Sequence, residues 1–188
     1  METIINFDRQ FFFLINRVFA NDFFDVVLPL MRSKYFWSPL YLFLIVYFVS
    51  NYGKGGWWRV AFLLLTFALT DFVSASIFKE FFMRLRPCND PEIIAYVRNI
   101  VGCGSGYSFV SSHATNHFGI ATFMSLLYLD KKWVGYVFKS WAAIICYSQV
   151  YVGVHYPLDV ISGAILGIVL ANFSFYIYRL ALHKEWIS

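Results

Sequence analysis

His155 and Asp159 stand four residues apart in the run Ser148-Gln-Val-Tyr-Val-Gly-Val-His-Tyr-Pro-Leu-Asp. At a helical start that spacing puts both side chains on one face. Asp159 can then accept a hydrogen bond from Nδ1–H of His155, which fixes the tautomer and leaves the Nε2 lone pair outward, as in a Ser-His-Asp site. Such a lone pair serves as a base or as a nucleophile. The plainer alternative is that Asp159 only caps the helix after Pro157, which leaves His155 unexplained.

Two further runs supply what a phosphate-cleaving site needs. Ser111-Ser112-His113 follows a Gly- and Ser-rich loop and opens an apolar stretch. Backbone N–H groups at a helix start are donors for an anion, Ser111 adds a hydroxyl, and His113 can protonate a leaving oxygen. Read alone, it is equally an interfacial histidine behind a serine cap. Lys79, Arg84 and Arg86 gather positive charge at the end of another apolar stretch. Arg86 suits bidentate phosphate contact, and Pro87 is expected to stop the helix. Snorkelling from the membrane edge is the competing use of these cations. His117 follows His113 by four residues, a spacing compatible with metal binding. No acid completes such a set, so His117 is read as a bundle-facing polar group and neither metal nor cofactor is expected. Asp71, costly in lipid, is expected to face the bundle. Of the four histidines, His113, His117 and His155 fall in these runs.

The elements that must position them are membrane helices. The 188-residue chain is 60% hydrophobic, 22% aromatic and 14% charged, against roughly 45–50% apolar and about 25% charged in soluble domains. One domain is expected over residues 1–188, with an N-terminal segment 1–34 and a core 35–178. The formal charge of +4 comes without a dense basic cluster, which excludes nucleic-acid binding. The first residues lack a basic n-region and a cleavage site, so no removable signal peptide is expected. Five apolar stretches, 35–52, 57–78, 114–129, 133–154 and 160–178, approach the roughly 20 residues that span a bilayer. They show no strand alternation, and the fold class is all-α, a polytopic transmembrane helical bundle. Residues 4–19, with Asp8, Arg9 and Arg17 among phenylalanines, suit an interfacial amphipathic helix. A sixth span, bent at Ala20-Asn21-Asp22, is the rival reading. Gly163 and Gly167 form a small-xxx-small pattern for close helix packing in the bundle.

With five spans, Lys54 and Arg59, Lys131 and Lys132, and Arg179 and Lys184 lie on one side, which the positive-inside rule makes cytoplasmic. The three motif runs then meet on the opposite face. Arg9, Arg17, Arg32 and Lys34 weigh against that orientation. Three cysteines make no disulfide framework, yet a Cys88–Cys103 bridge is available to a loop facing an oxidising compartment.

Together the runs resemble the type-2 phosphatidic acid phosphatase superfamily, whose pattern is Lys-x6-Arg-Pro, Pro-Ser-Gly-His and Ser-Arg-x5-His-x3-Asp. Lys79 through Pro87 matches the first motif fully. Val110-Ser111-Ser112-His113 matches the second at Ser and His, and Ser148 through Asp159 matches the third with Gln149 in place of Arg. The resemblance implies metal-independent hydrolysis of a lipid phosphate or diphosphate, such as polyprenyl diphosphate, phosphatidylglycerol phosphate or lipid A, at an inner membrane with the site facing the periplasm. By it His155 is the nucleophile that becomes phosphohistidine, Asp159 orients it, and His113 protonates the leaving group. Lys79, Arg86 and Ser111 bind phosphoryl oxygens, with Ser112, Gln149 and Arg84 as further candidates around the phosphate. Because Gln149 carries no charge, the implied alternatives are a slower enzyme, substitution by Arg84, or a non-catalytic lipid-phosphate-binding or transport relative. A lipid phosphotransferase is the third class.

Overall fold

The computed structural model describes residues 2–183; Lys184, one of the charges used for orientation, lies outside them. The described residues form six helices and no strand: α1 (Glu2–Phe13), α2 (Asp22–Met31), α3 (Ser38–Phe72), α4 (Ser112–Leu127), α5 (Lys132–Tyr151) and α6 (Pro157–His183). Two segments are long and apolar enough to cross a membrane, Ser38–Phe82 and Pro157–Leu182.

Helix α3 is a hairpin. Gly53 takes φ 52° and ψ −125° inside it, a conformation that suits glycine. The chain folds back so closely that a Cβ on Gly56 would strike the carbonyl oxygen of Phe48. Leu44 and Phe48 before the bend share one buried cluster with Val60 beyond it. The two stretches expected at 35–52 and 57–78 are these two arms. The second arm runs on through a π-helical stretch, Val73–Phe78, and a last turn, Lys79–Phe82. Single π-turns inside helices recur at functional sites. Pro87 does not stop this helix, contrary to expectation. Met83, left-handed at φ 46°, ends it four residues earlier, its N–H donating to Lys79 O. A left-handed residue satisfies the last carbonyls and turns the chain away.

Helices α4 and α6 form the centre of the bundle. Cβ atoms on Gly163 or Gly167 would meet the Ser111 or Thr115 backbone, so α6 lies against α4 at backbone contact. That is the close approach expected of the small-residue pattern. At the top of this pair Ser111 N–H donates to Asp159 O at 3.0 Å, joining the starts of the two helices that carry His113 and Asp159.

The N-terminal segment is more elaborate than one interfacial helix. Helix α1 continues through a π-helical turn, Leu14–Val18, and the chain bends before α2, whose N-cap Asn21 accepts from Phe24 N–H at 2.9 Å. Ile4, Phe7, Phe11 and Val18 are exposed, while Phe12 and Asp8 are buried. The buried Asn16 amide donates to Tyr151 O at 2.7 Å and to Arg98 O at 2.8 Å, which ties this segment to the end of α5 and to the loop after α3.

Candidate active site

His155 lies in the short connection between α5 and α6, not on a helix face. Gly153, at φ 88°, makes the turn that delivers it, and a Cβ there would meet Arg98 O at 2.7 Å. Asp159 sits in the first turn of α6 and does cap it: Oδ2 accepts from Tyr156 N–H at 2.8 Å. That cap draws the carboxylate back toward His155, with Nδ1 of His155 3.5 Å from Oδ2. The separation is long for a formed bond, and catalytic hydrogen bonds commonly tighten only around substrate. Among the described residues Oδ2 serves the cap, while Nδ1 of His155 is left without a hydrogen-bond partner. His155 is 1% exposed and Asp159 0%. Burial pushes the His155 pKa down to about 4, although the Asp159 carboxylate pulls it upward and Arg86 and Lys79 add to the lowering. The ring is therefore neutral at physiological pH.

Ser111 caps α4, its Oγ accepting from Ala114 N–H at 3.4 Å. The hydroxyl of Ser112 is buried without a partner. His113, in the first turn, lies within Coulombic reach of His155, Arg32 and Lys79. His117 has both ring nitrogens engaged, Nδ1 with His113 O at 2.7 Å and Nε2 with Tyr41 Oη at 3.4 Å. Asp71 accepts from Asn116 Nδ2 at 2.9 Å, inside the bundle. Among the described residues no three His, Cys, Asp or Glu side chains cluster.

Lys79 and Arg86 lie within Coulombic reach of each other and of His155. Arg86 is held only loosely, by Gly106 O at 3.3 Å and by Ser105 O and Val154 O at 3.5 Å. Its loop is closed by a Cys88–Cys103 disulfide. Arg84 is placed differently from the expectation that it binds phosphate. Its Nη1 donates to Asp159 Oδ1 at 2.7 Å and its Nη2 to Asp8 Oδ2 at 2.6 Å, and the guanidinium stacks on Tyr156 at 3.9 Å. Two carboxylates occupy it, and it braces Asp159 instead of facing an anion. Gln149 is fully buried; its Oε1 accepts from Arg32 Nε at 3.3 Å and its Nε2 has no partner.

Among the described residues the ion pairs draw their arginines from Arg9, Arg84 and Arg98. Arg32, Lys79 and Arg86 are left without a carboxylate. An uncompensated cation cluster beside two histidines fits an anion carrying several oxygens. A cavity of about 520 Å³ runs from Arg32, Ser112 and His113 along the apolar residues Leu44, Val60, Leu63 and Ile120. His155, Lys79 and Arg86 are not among its walls.

Asp8 and Arg32 were not legible as site residues. Both belong to the N-terminal segment, which carries no spaced motif, and only the tertiary fold brings them in. The one signal available was an acid embedded among the phenylalanines of an amphipathic helix.

Comparison with known proteins gives the family. The family model described as the PAP2 superfamily matches residues 59–182. The lipid A 4'-phosphatase of Porphyromonas gingivalis is 32% identical over 192 aligned positions, covering 100% of this chain and 79% of the relative. The undecaprenyl-diphosphatase of Sulfolobus acidocaldarius is 28% identical over 171 positions, covering 88% and 76%. The crystal structure of a transmembrane PAP2-type phosphatidylglycerolphosphate phosphatase from Bacillus subtilis shares the fold, with a TM-score of 0.73 at 21% identity over 95% of this chain and 88% of that one. The chain belongs to the PAP2 superfamily of membrane lipid phosphatases. It is a membrane protein with helical spans.

Proposed function

We propose that this protein hydrolyses a phosphate monoester on a lipid of the lipid A type by way of a phosphohistidine at His155. The observation that carries the reading is the convergence of unpaired cations on His113 and His155, with Asp159 braced behind His155. Neutral His155 attacks phosphorus through Nε2, and the phosphorus–oxygen bond to the lipid breaks. His113, protonated once the phosphate anion sits beside it, gives its proton to the leaving oxygen. Asp159 holds the Nδ1 proton and stabilises the charge that develops on the ring. Water then attacks the phosphorus of phosphohistidine, His113 takes its proton, and phosphate leaves. Lys79, Arg86 and the N–H groups at the start of α4 stabilise the equatorial oxygens throughout. These cations do the work that a metal would otherwise do, so turnover is expected to survive chelation.

Likeness to a lipid A 4'-phosphatase over the whole chain favours a lipid A type substrate. Undecaprenyl diphosphate is the second reading, favoured by the likeness to the archaeal diphosphatase. The apolar cavity beside His113 suits a lipid portion of either. For topology we propose five spans, the α3 hairpin counting as two, with the site on the outer face; the Cys88–Cys103 bridge beside the site favours an oxidising compartment.

The test is phosphate release by purified protein from lipid A, undecaprenyl diphosphate and phosphatidylglycerol phosphate. Preferred release from lipid A supports the first reading. Preference for the diphosphate selects the second. Binding without release identifies a non-catalytic relative, and appearance of a newly phosphorylated lipid identifies a phosphotransferase.

A further inference from the structure

Gln149 is a fully buried neutral side chain bonded to one cation, Arg32, and its two polar atoms are used unequally. Oε1 accepts from Arg32 Nε at 3.3 Å, whereas Nε2 has no partner although it is fully buried. A buried amide donor without a partner is costly, and such a group calls for an explanation, of which an absent acceptor is one. The Ser112 hydroxyl is a second buried polar atom without a partner.

Arg32 reaches this place from the turn after α2, far from Gln149 in sequence. No carboxylate pairs with it among the described residues. Arg86 lies within Coulombic reach of it, and so does His113. It also forms part of the cavity wall with Ser112 and His113. Like charges repel unless an anion offsets them, and among the described residues the one side-chain hydrogen bond to Arg32 is the neutral one to Gln149. Arg32 is thus held by Nε and presents its terminal nitrogens. Gln149 is held by Oε1 and presents Nε2.

We infer that Arg32 and Gln149 act as one composite phosphoryl-binding unit, with Gln149 aiming the Arg32 guanidinium and donating from Nε2 to the same anion. The unit supplies from the N-terminal segment the positive charge that position 149 lacks. The inference rests on the phosphatase reading above, and its test separates the two.

Inorganic phosphate binding and orthovanadate inhibition of the purified full chain are measured for wild type, Arg32→Gln, Arg32→Lys and the exchange variant Arg32→Gln/Gln149→Arg. Thermal melting accompanies each. Arg32→Gln is expected to weaken phosphate and vanadate binding about tenfold or more, the size of one charged hydrogen bond, with the melting temperature little changed. Arg32→Lys keeps the charge but loses the fork, and should fall between; it also stands in if Arg32→Gln does not fold. The exchange variant should recover binding, because it returns a guanidinium to the same anion. Undiminished binding in Arg32→Gln, or an exchange variant no tighter than Arg32→Gln, overturns the role of Arg32 and leaves the phosphate site standing. A wild type that binds neither phosphate nor vanadate overturns both.

Discussion

Arg84 Nη1 lies 2.7 Å from Asp159 Oδ1, and the other arm of the same guanidinium lies 2.6 Å from Asp8. Asp8 also accepts from Leu158 N–H at 2.9 Å, at the start of α6. The N-terminal helix therefore fixes the turn from which Asp159 addresses His155. Removing the cation would leave two buried carboxylates facing each other. Arg84→Gln is expected to destabilise the protein by about 3 kcal/mol, the lower end for breaking a buried ion pair, because the guanidinium is partly exposed. Asp8→Asn leaves the pair with Asp159 intact and should cost less. Denaturation of the two variants in one detergent checks the order; Asp8→Asn the more damaging would contradict the bracing role.

Asp159→Asn keeps the volume but cannot hold the Nδ1 proton and stabilise an imidazolium. A drop in kcat on the order of 10²–10⁴-fold is expected, the range for a positioned acid–base partner. Steady-state kinetics on folded protein check this. A loss confined to KM would mean that Asp159 only caps α6.

The pH dependence follows from burial. His155 is held with a pKa of about 4, so it is neutral, and nucleophilic, above that value. Protonation removes the Nε2 lone pair. The His155-dependent limb of kcat/KM, which reports the free enzyme, should fall as pH drops through about 4, once the substrate's own ionisation is corrected for. A limb at the ordinary histidine value would mean that His155 is solvated.

The motif runs were legible because chemistry restricts residue type at each position, and the helices because lipid demands long apolar stretches. His155 and Asp159 lie 3.5 Å apart, and His113, Lys79 and Arg86 lie within Coulombic reach of His155. The boundaries shifted for local reasons. Met83 ends the second arm before Pro87 can, whereas Gly53 makes the bend between the two expected stretches, 35–52 and 57–78. His155 left the helix because Gly153 turns the chain before it. Arg84 was misplaced among the phosphate ligands because its partner Asp8 lies in a segment whose contacts no local pattern encodes. Arg32, in sequence a flanking charge, reaches Gln149 through the same segment.

Packing at the α4–α6 contact gives a stability test independent of chemistry. A Cβ on Gly167 would collide with Thr115 O. Gly167→Ala should destabilise by about 1–3 kcal/mol, as overpacking does, and Gly167→Leu should abolish the folded bundle. Thermal melts in detergent read the effect; an unchanged Gly167→Ala melt would mean that the helices are not at backbone contact.

Topology is tested at Ala95, exposed within the disulfide-closed loop. Ala95→Cys should react with an impermeant thiol reagent in intact cells. Labelling only after lysis would place the site in the cytoplasm.

Covalent catalysis by His155 is read out by rapid quenching with a lipid substrate labelled in its phosphate. The expected result is an acid-labile, base-stable label on the protein within one turnover, located at His155 and absent from folded His155→Ala, which also releases no phosphate. Turnover by folded His155→Ala near the wild-type rate, or a label on another residue, would contradict the account.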